Sequence, residues 1–352
     1  MCADASGAPN RSIQVQRFVG SPRSRALLRA ANGTAFCMRQ VPEGAEGFPR
    51  AKPLVKVPSF LLLVAGALAI GFAPIFVRLA ATGPIATAFW RMALAVPILW
   101  IISRHQNTLH KDTWRSPWTW VAGIAFALDL AAWHFAIRLT SVTNATLLAN
   151  CAVLLVPPLS WLFLRRAVRL STIGFGALAF LGIALLSSPS LRVGGAQLWG
   201  DALALITATF YAAYLVAVAA ARERIRASAL ALASSVLSSL ALVTFVPLGG
   251  ERLLLPVAVD WIWLIGLAVI SQVFGQTAIA HALGRIPPAQ AAIGLLIQPV
   301  SAALFAWVLF HESLSGLQLF GGALVLIAIT AVRSSNDRVS LSKPKGSTIS
   351  LS

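Results

Sequence analysis

Apolar residues along the chain gather into ten runs of close to 20 residues. They lie at about 58–78, 84–103, 117–138, 143–163, 170–188, 197–220, 228–248, 259–282, 287–310 and 315–333. A run of that length matches the hydrocarbon thickness of a bilayer when wound as an α-helix. The polar connections between runs are mostly short, so consecutive helices must pack as antiparallel neighbours. The pattern predicts an all-α integral membrane protein with ten transmembrane helices. Composition agrees: 58% of residues are hydrophobic and 11% charged, against about 25% charged in soluble domains.

The net charge of +17 changes the picture only through its distribution. Nine of the 28 Lys and Arg residues lie in the first 56 positions. Others follow spans two (Arg104, Lys111, Arg115), four (Arg165, Arg166, Arg169), six (Arg222, Arg224, Arg226) and eight (Arg285), and four close the chain (Arg333, Arg338, Lys343, Lys345). The opposite side carries Arg78, Arg138, Arg192 and Arg252, and Arg91 lies inside span two. This alternation is the positive-inside signature with both termini in the cytoplasm, and it leaves no basic surface for nucleic acid. Segment 1–56 reads as a disordered basic cytosolic tail, an organelle-targeting peptide, or the result of a start placed upstream of Met38, and these stay open. Residues 334–352 read as a second disordered cytosolic tail. Cys2, Cys37 and Cys151 have neither metal-ligand nor disulfide spacing.

The two halves of the membrane part align at an offset of 147 residues. His134 meets His281, Arg138 meets Arg285, Val153 meets Val300, and Leu162-Phe163 meets Leu309-Phe310. Residues 57–189 and 196–333 thus form two five-helix repeats. An odd number of spans per repeat inverts the second relative to the first, an architecture suited to alternating access.

At these residues the chain resembles the EamA family of the drug/metabolite transporter superfamily. "GPIATAFWRMALA" carries Pro84 and Arg91 in the family's spacing. "AIRLTSVTNATLLANCAVLLVP" includes Pro157, and "IPPAQAAIGLLIQPVSAALFAWVLFHESLSGLQLFGGALVL" includes Pro299, Glu312 and Gly321-Gly322. The resemblance covers about 58–333 and implies a secondary carrier of small organic solutes. It also implies structural roles for Pro84, Pro157, Pro299, Glu312 and Gly321. The first-half position matching Glu312 is Arg165, so Glu312 has no symmetric partner.

Ionisable groups inside spans mark candidate sites. Asp129 lies roughly 18 Å along span three at 1.5 Å per residue, near mid-membrane, and is the candidate for substrate binding and proton coupling. The offset sends it to Gln276, and Gln272 lies one turn away. Trp133, four residues from Asp129, shares its helix face and is expected as a pocket wall. Arg91 could hold an anionic group or pair with Asp129. Asn150 and Gln298, beside prolines within spans four and nine, are expected to line the cavity; Tyr211 and Tyr214 are weaker candidates. His134 lies on another face from Asp129, and with His281 is expected to form helix–helix hydrogen bonds. Pro157 and Pro299 remove backbone donors inside spans. Gly174, Gly176 and Gly182 with Gly321 and Gly322 are expected to bring spans five and ten close to their neighbours.

There is no phosphate-binding GxxxxGK[ST] loop, no HExxH and no catalytic triad. No catalytic residue, metal or cofactor is expected. The partners implied are a small-molecule substrate and the bilayer, with a homodimer left open. The reading is a gradient-driven or exchange carrier, with export of amino acids or related compounds implied by the resemblance. The alternatives are an organic-anion or nucleotide-sugar exchanger, a passive channel, or an intramembrane enzyme. The expected location is the cell's inner or plasma membrane, with an organelle membrane as the other option.

Overall fold

The computed structural model describes residues 58–140, 142–187, 197–253, 258–311 and 314–342. Among these, ten helices are long and apolar enough to cross a membrane. They are α1 (Ser59–Leu79), α2 (Pro84–His105), α3 (Pro117–Leu139), α4 (Asn144–Leu164), α5 (Leu170–Ser187), α6 (Leu198–Ala221), α7 (Ala227–Leu248), α8 (Asp260–Leu283), α9 (Pro288–Phe310) and α10 (Gly316–Ser334). Pro84, Pro117 and Pro288 open α2, α3 and α9; at the first helical position the missing N–H would have had no partner anyway. The expected tails 1–56 and 343–352, together with Glu312, lie outside the described residues. The last helix continues to Ser342, into the segment expected from the sequence to be a tail. No Pro or Gly interrupts the helix between Arg333 and Ser342.

Several of the helices are not continuous. Helix α1 breaks at Phe72, because Pro74 cannot donate to the carbonyl of Ile70. Helix α4 breaks between Ala149 and Ala152. Helix α9 breaks at Leu296, because Pro299, three residues further on, cannot donate to the carbonyl of Leu295. Helix α8 contains a π-helical stretch, Leu267–Gln276, between two α-helical ends.

The packing repeats under exchange of the two halves. Helix α3 packs on α6 as α8 packs on α1; α3 packs on α7 as α8 packs on α2; α4 packs on α6 as α9 packs on α1. Helices α2 and α7, α4 and α9, and α5 and α10 pair across the axis. This is the contact map of two repeats related by a two-fold axis, with five helices in each. Leu, Ile, Phe and Trp side chains on α4, α5, α9 and α10, among them Trp161, Leu170, Leu181, Trp307 and Phe320, are exposed, as lipid-facing positions should be. The buried core runs along α3, α6 and α7 and includes nearly all of Tyr214–Ala221.

Candidate functional site

Polar side chains from five helices converge inside the bundle. Arg91 on α2 and Asp129 on α3 are each 8% exposed. The Arg91 Nε donates to Gln272 Oε1 on α8 at 3.2 Å, and Gln272 Nε2 donates to Ser235 Oγ on α7 at 3.1 Å. The Tyr214 hydroxyl on α6 donates to Gln276 Oε1 at 3.1 Å. Tyr214 also stacks on Phe126 of α3, with ring centroids 4.6 Å apart, and the Arg91 guanidinium lies 5.8 Å from the same Phe126 ring. Tyr211 stacks on Tyr214 at 6.1 Å. Arg91, Asp129, Tyr211 and Tyr214 therefore lie within electrostatic reach of one another.

Arg91 and Asp129 form no ion pair with each other. Among the described residues Asp129 makes no hydrogen bond, and Arg91 Nη2 is buried without a partner. A buried charge is costly unless satisfied, so both groups keep binding capacity toward a third party. Cation, carboxylate, phenols and amides in this arrangement can hold a solute carrying opposite charges. Among the described residues no cluster of His, Cys, Asp and Glu could hold a metal.

Next to this network lies a cavity of ≈ 20 Å³, lined among others by Asn150, Val153, Tyr211, Ala292, Leu296 and Gln298. It sits where the breaks of α4 and α9 face each other. The Asn150 amide turns back onto Thr146 O at 2.8 Å, closing the turn that ends the first half of α4. Gln298 Nε2 is buried without a partner among the described residues. The break of α1 reaches the same region: a Cβ on Gly71 would lie 2.0 Å from Ser301 Oγ and 3.3 Å from the Gln298 carbonyl, so a larger residue there would have to displace the Ser301 hydroxyl. Interrupted helices free backbone groups at membrane depth, tolerated where they line a cavity. That volume fits about one water.

Other sequence candidates lie elsewhere. Trp133, expected as a wall beside Asp129, packs against a cluster of small residues, Ala136, Ala145 and Ala204 of α3, α4 and α6, edge-on to His134 at 5.0 Å. His134 does not make the expected interhelical bond among the described residues. It is 4% exposed and its Nδ1 has no partner among the described residues. His281 Nε2 bonds Arg285 Nη1 at 2.7 Å, one turn along its own chain segment rather than across helices. Gly182 and Gly321 do bring α5 and α10 into backbone contact, while Gly174 faces open space and brings no helix close.

Sequence reasoning gave too little weight to Tyr211 and Tyr214 and passed over Ser235 and Phe126. The signal was present for the tyrosines: the chain has two in all, three residues apart on one helix face.

A chain of ten apolar helices in two interlocked repeats around a polar interior defines a polytopic membrane transporter. The profile of the EamA-like transporter family matches residues 57–188 and 198–334, and the chain belongs to that family. Two proteins of Archaeoglobus fulgidus, each described as an uncharacterized transporter, are similar. One is 28% identical over 209 residues, covering 57% of this chain and 71% of its own length. The other is 27% identical over 259 residues, covering 71% and 88%. A solved crystal structure aligns with a TM-score of 0.66 at 19% identity, covering 80% of this chain and 98% of its own; at that identity it speaks to the fold.

Proposed function

We propose that this transporter is a secondary carrier that moves a zwitterionic small metabolite, an amino acid or a close relative, by alternating access. The observation that carries the proposal is that the Arg91 guanidinium, with Nη2 unpartnered among the described residues, and the Asp129 carboxylate are both buried in the bundle interior without pairing with each other. A solute carboxylate suits Arg91 Nη2, and a solute ammonium suits Asp129 with the tyrosine faces nearby. The facing breaks of α4 and α9 support a binding position between the repeats, as expected for inverted-repeat carriers. Positive-inside charge supports cytosolic termini, and export is the direction the resemblance favours. Asp129 is also the group suited to couple transport to protons.

The test is counterflow in proteoliposomes with a metabolite panel containing amino acids, organic anions and nucleotide sugars. Saturable exchange with amino acids is the expected result, and Asp129→Asn should insert and fold normally while losing the pH dependence of exchange. Preference for anions over zwitterions would favour the exchanger reading, which the free Arg91 Nη2 also suits. Wild-type exchange and wild-type pH dependence in Asp129→Asn would remove Asp129 from the site.

A further inference from the structure

The face of the bundle that carries the α1–α2 turn is held shut by side chains outside the polar interior. Two carboxylates from the second repeat each capture a backbone N–H from the first. Glu251, just after α7, accepts from Ala86 N at 2.8 Å. Asp260, the first residue of α8, accepts from Ala81 N at 3.0 Å. Ala86 is the third residue of α2, so its N–H has no partner within the helix, and a carboxylate there also meets the positive end of the helix dipole. Asp260 is 2% exposed and its Oδ2 has no partner among the described residues, so the bond to Ala81 is what anchors it.

Neighbouring contacts belong to the same closure. Trp90 Nε1 donates to Leu253 O at 3.1 Å, and Trp90 meets Trp261 edge-on at 5.3 Å. Arg138 at the end of α3 donates to Gly249 O. The turn itself is shaped for the carboxylate: a Cβ on Gly83 would fall 2.4 Å from the Glu251 carboxyl carbon. Beneath it Ile85, fully buried, packs against Val246.

The geometry points to Glu251 and Asp260 as a latch that holds this face of the carrier closed, acting on access rather than on the solute. The assignment rests on the alternating-access reading. Two charge-assisted bonds tie the α1–α2 turn to the α7–α8 region, and these elements must separate if the interior is to open on this side. Each bond joins opposite repeats, so its loss frees one repeat from the other. Nothing in the latch touches Arg91, Asp129 or the tyrosines.

The test reads accessibility, not transport. Ile85→Cys is placed in a background with Cys2, Cys37 and Cys151 replaced by Ser, and labelling by a membrane-impermeant maleimide is timed in nanodiscs. Labelling is expected to be slow, and Glu251→Ala or Asp260→Ala should speed it by roughly tenfold or more, the shift that loss of one hydrogen bond to a charged group produces. Gly83→Ala should speed it as well, by displacing the Glu251 carboxylate while both acids remain. That variant serves if either acid substitution fails to fold. Unchanged labelling at position 85 in the monodisperse variants overturns the latch. A matching Ile225→Cys reporter on the opposite face separates the two readings. Faster labelling at 85 with slower labelling at 225 supports latch and alternating access together. Faster labelling at 85 with no change at 225 supports the latch and counts against alternating access.

Discussion

At the scale of single residues, Tyr214 links three helices. Its ring lies on Phe126 of α3 and its hydroxyl satisfies Gln276 of α8. Tyr214→Phe keeps the stack but strands a buried amide oxygen, which costs about 1–3 kcal/mol. The expected outcome is a lowered midpoint of thermal unfolding in detergent, with insertion unaffected. Tyr211→Phe should differ, because Tyr211 lines the cavity with Gln298; its effect should fall on the apparent KM of exchange more than on the midpoint. Equal effects of the two substitutions on stability would contradict this division. Much of this was legible from depth alone, since Asp129, Arg91, Gln272 and Gln276 are polar residues set well inside apolar runs. The surroundings of Trp133 were less legible for a definite reason. Helical geometry says which residues share a face, but not which neighbouring helix that face meets, and here α4 and α6 supply alanines.

At the scale of elements, the spans were legible because proline and arginine punctuate them so regularly. The interruptions were less so. Pro74 and Pro299 explain two breaks through their missing donors, but no proline marks the break after Ala149. The π-helical stretch of α8 has a sequence trace that the single offset of 147 hides. Trp118, Trp120 and Gly123 on α3 match Trp261, Trp263 and Gly266 on α8 at an offset of 143. Beyond Gln276 the offset is 147, so α8 carries four additional residues between these landmarks, where the π-helix Leu267–Gln276 lies. Such segments recur at functional sites, and this one carries both Gln272 and Gln276. The α5–α10 crossing gives an element-scale test. A side chain at Gly321 would meet the Gly182 carbonyl oxygen at 2.5 Å and Leu186 N at 2.6 Å, both backbone atoms. Gly321→Leu should therefore separate the pair and cost about 1–3 kcal/mol or more, as overpacking does. Gly174→Ala, with open space around it, should leave the unfolding midpoint unchanged or slightly raised, since alanine favours the helix by up to about 1 kcal/mol over glycine. Thermal unfolding followed by tryptophan fluorescence distinguishes the two.

At the scale of the whole molecule, the two faces are fastened by different chemistry. One face uses Glu251 and Asp260. On the other, the Ser228 hydroxyl donates to Gln106 Oε1 at 2.8 Å and meets the Thr108 hydroxyl at 3.1 Å. There Arg222 donates from Nε to Ala280 O at 2.9 Å and from Nη1 to Ile225 O. Burial, and then the nearby Arg285 and Arg226, push the Arg222 guanidinium down to about 10, which leaves it cationic at neutral pH. The repeats thus share helix packing but not their fastenings, so the mirrored halves are not equivalent in how each face is released. That inequivalence lay in loop and helix-end residues, which carry little of the hydrophobic pattern from which the fold was read.

The small size of the cavity beside the Arg91 network has a further consequence for the membrane that holds this protein. A cavity of ≈ 20 Å³ accommodates about one water, too few to form the connected file along which protons hop. With both faces fastened, the resting protein should insulate. Proteoliposomes carrying it, loaded with a pH-sensitive dye and given an acid pulse without substrate, should acidify no faster than empty ones. A measurable proton leak under those conditions would show that water threads the bundle. An insulating rest state would allow many copies to sit in the bilayer without dissipating a proton gradient across it.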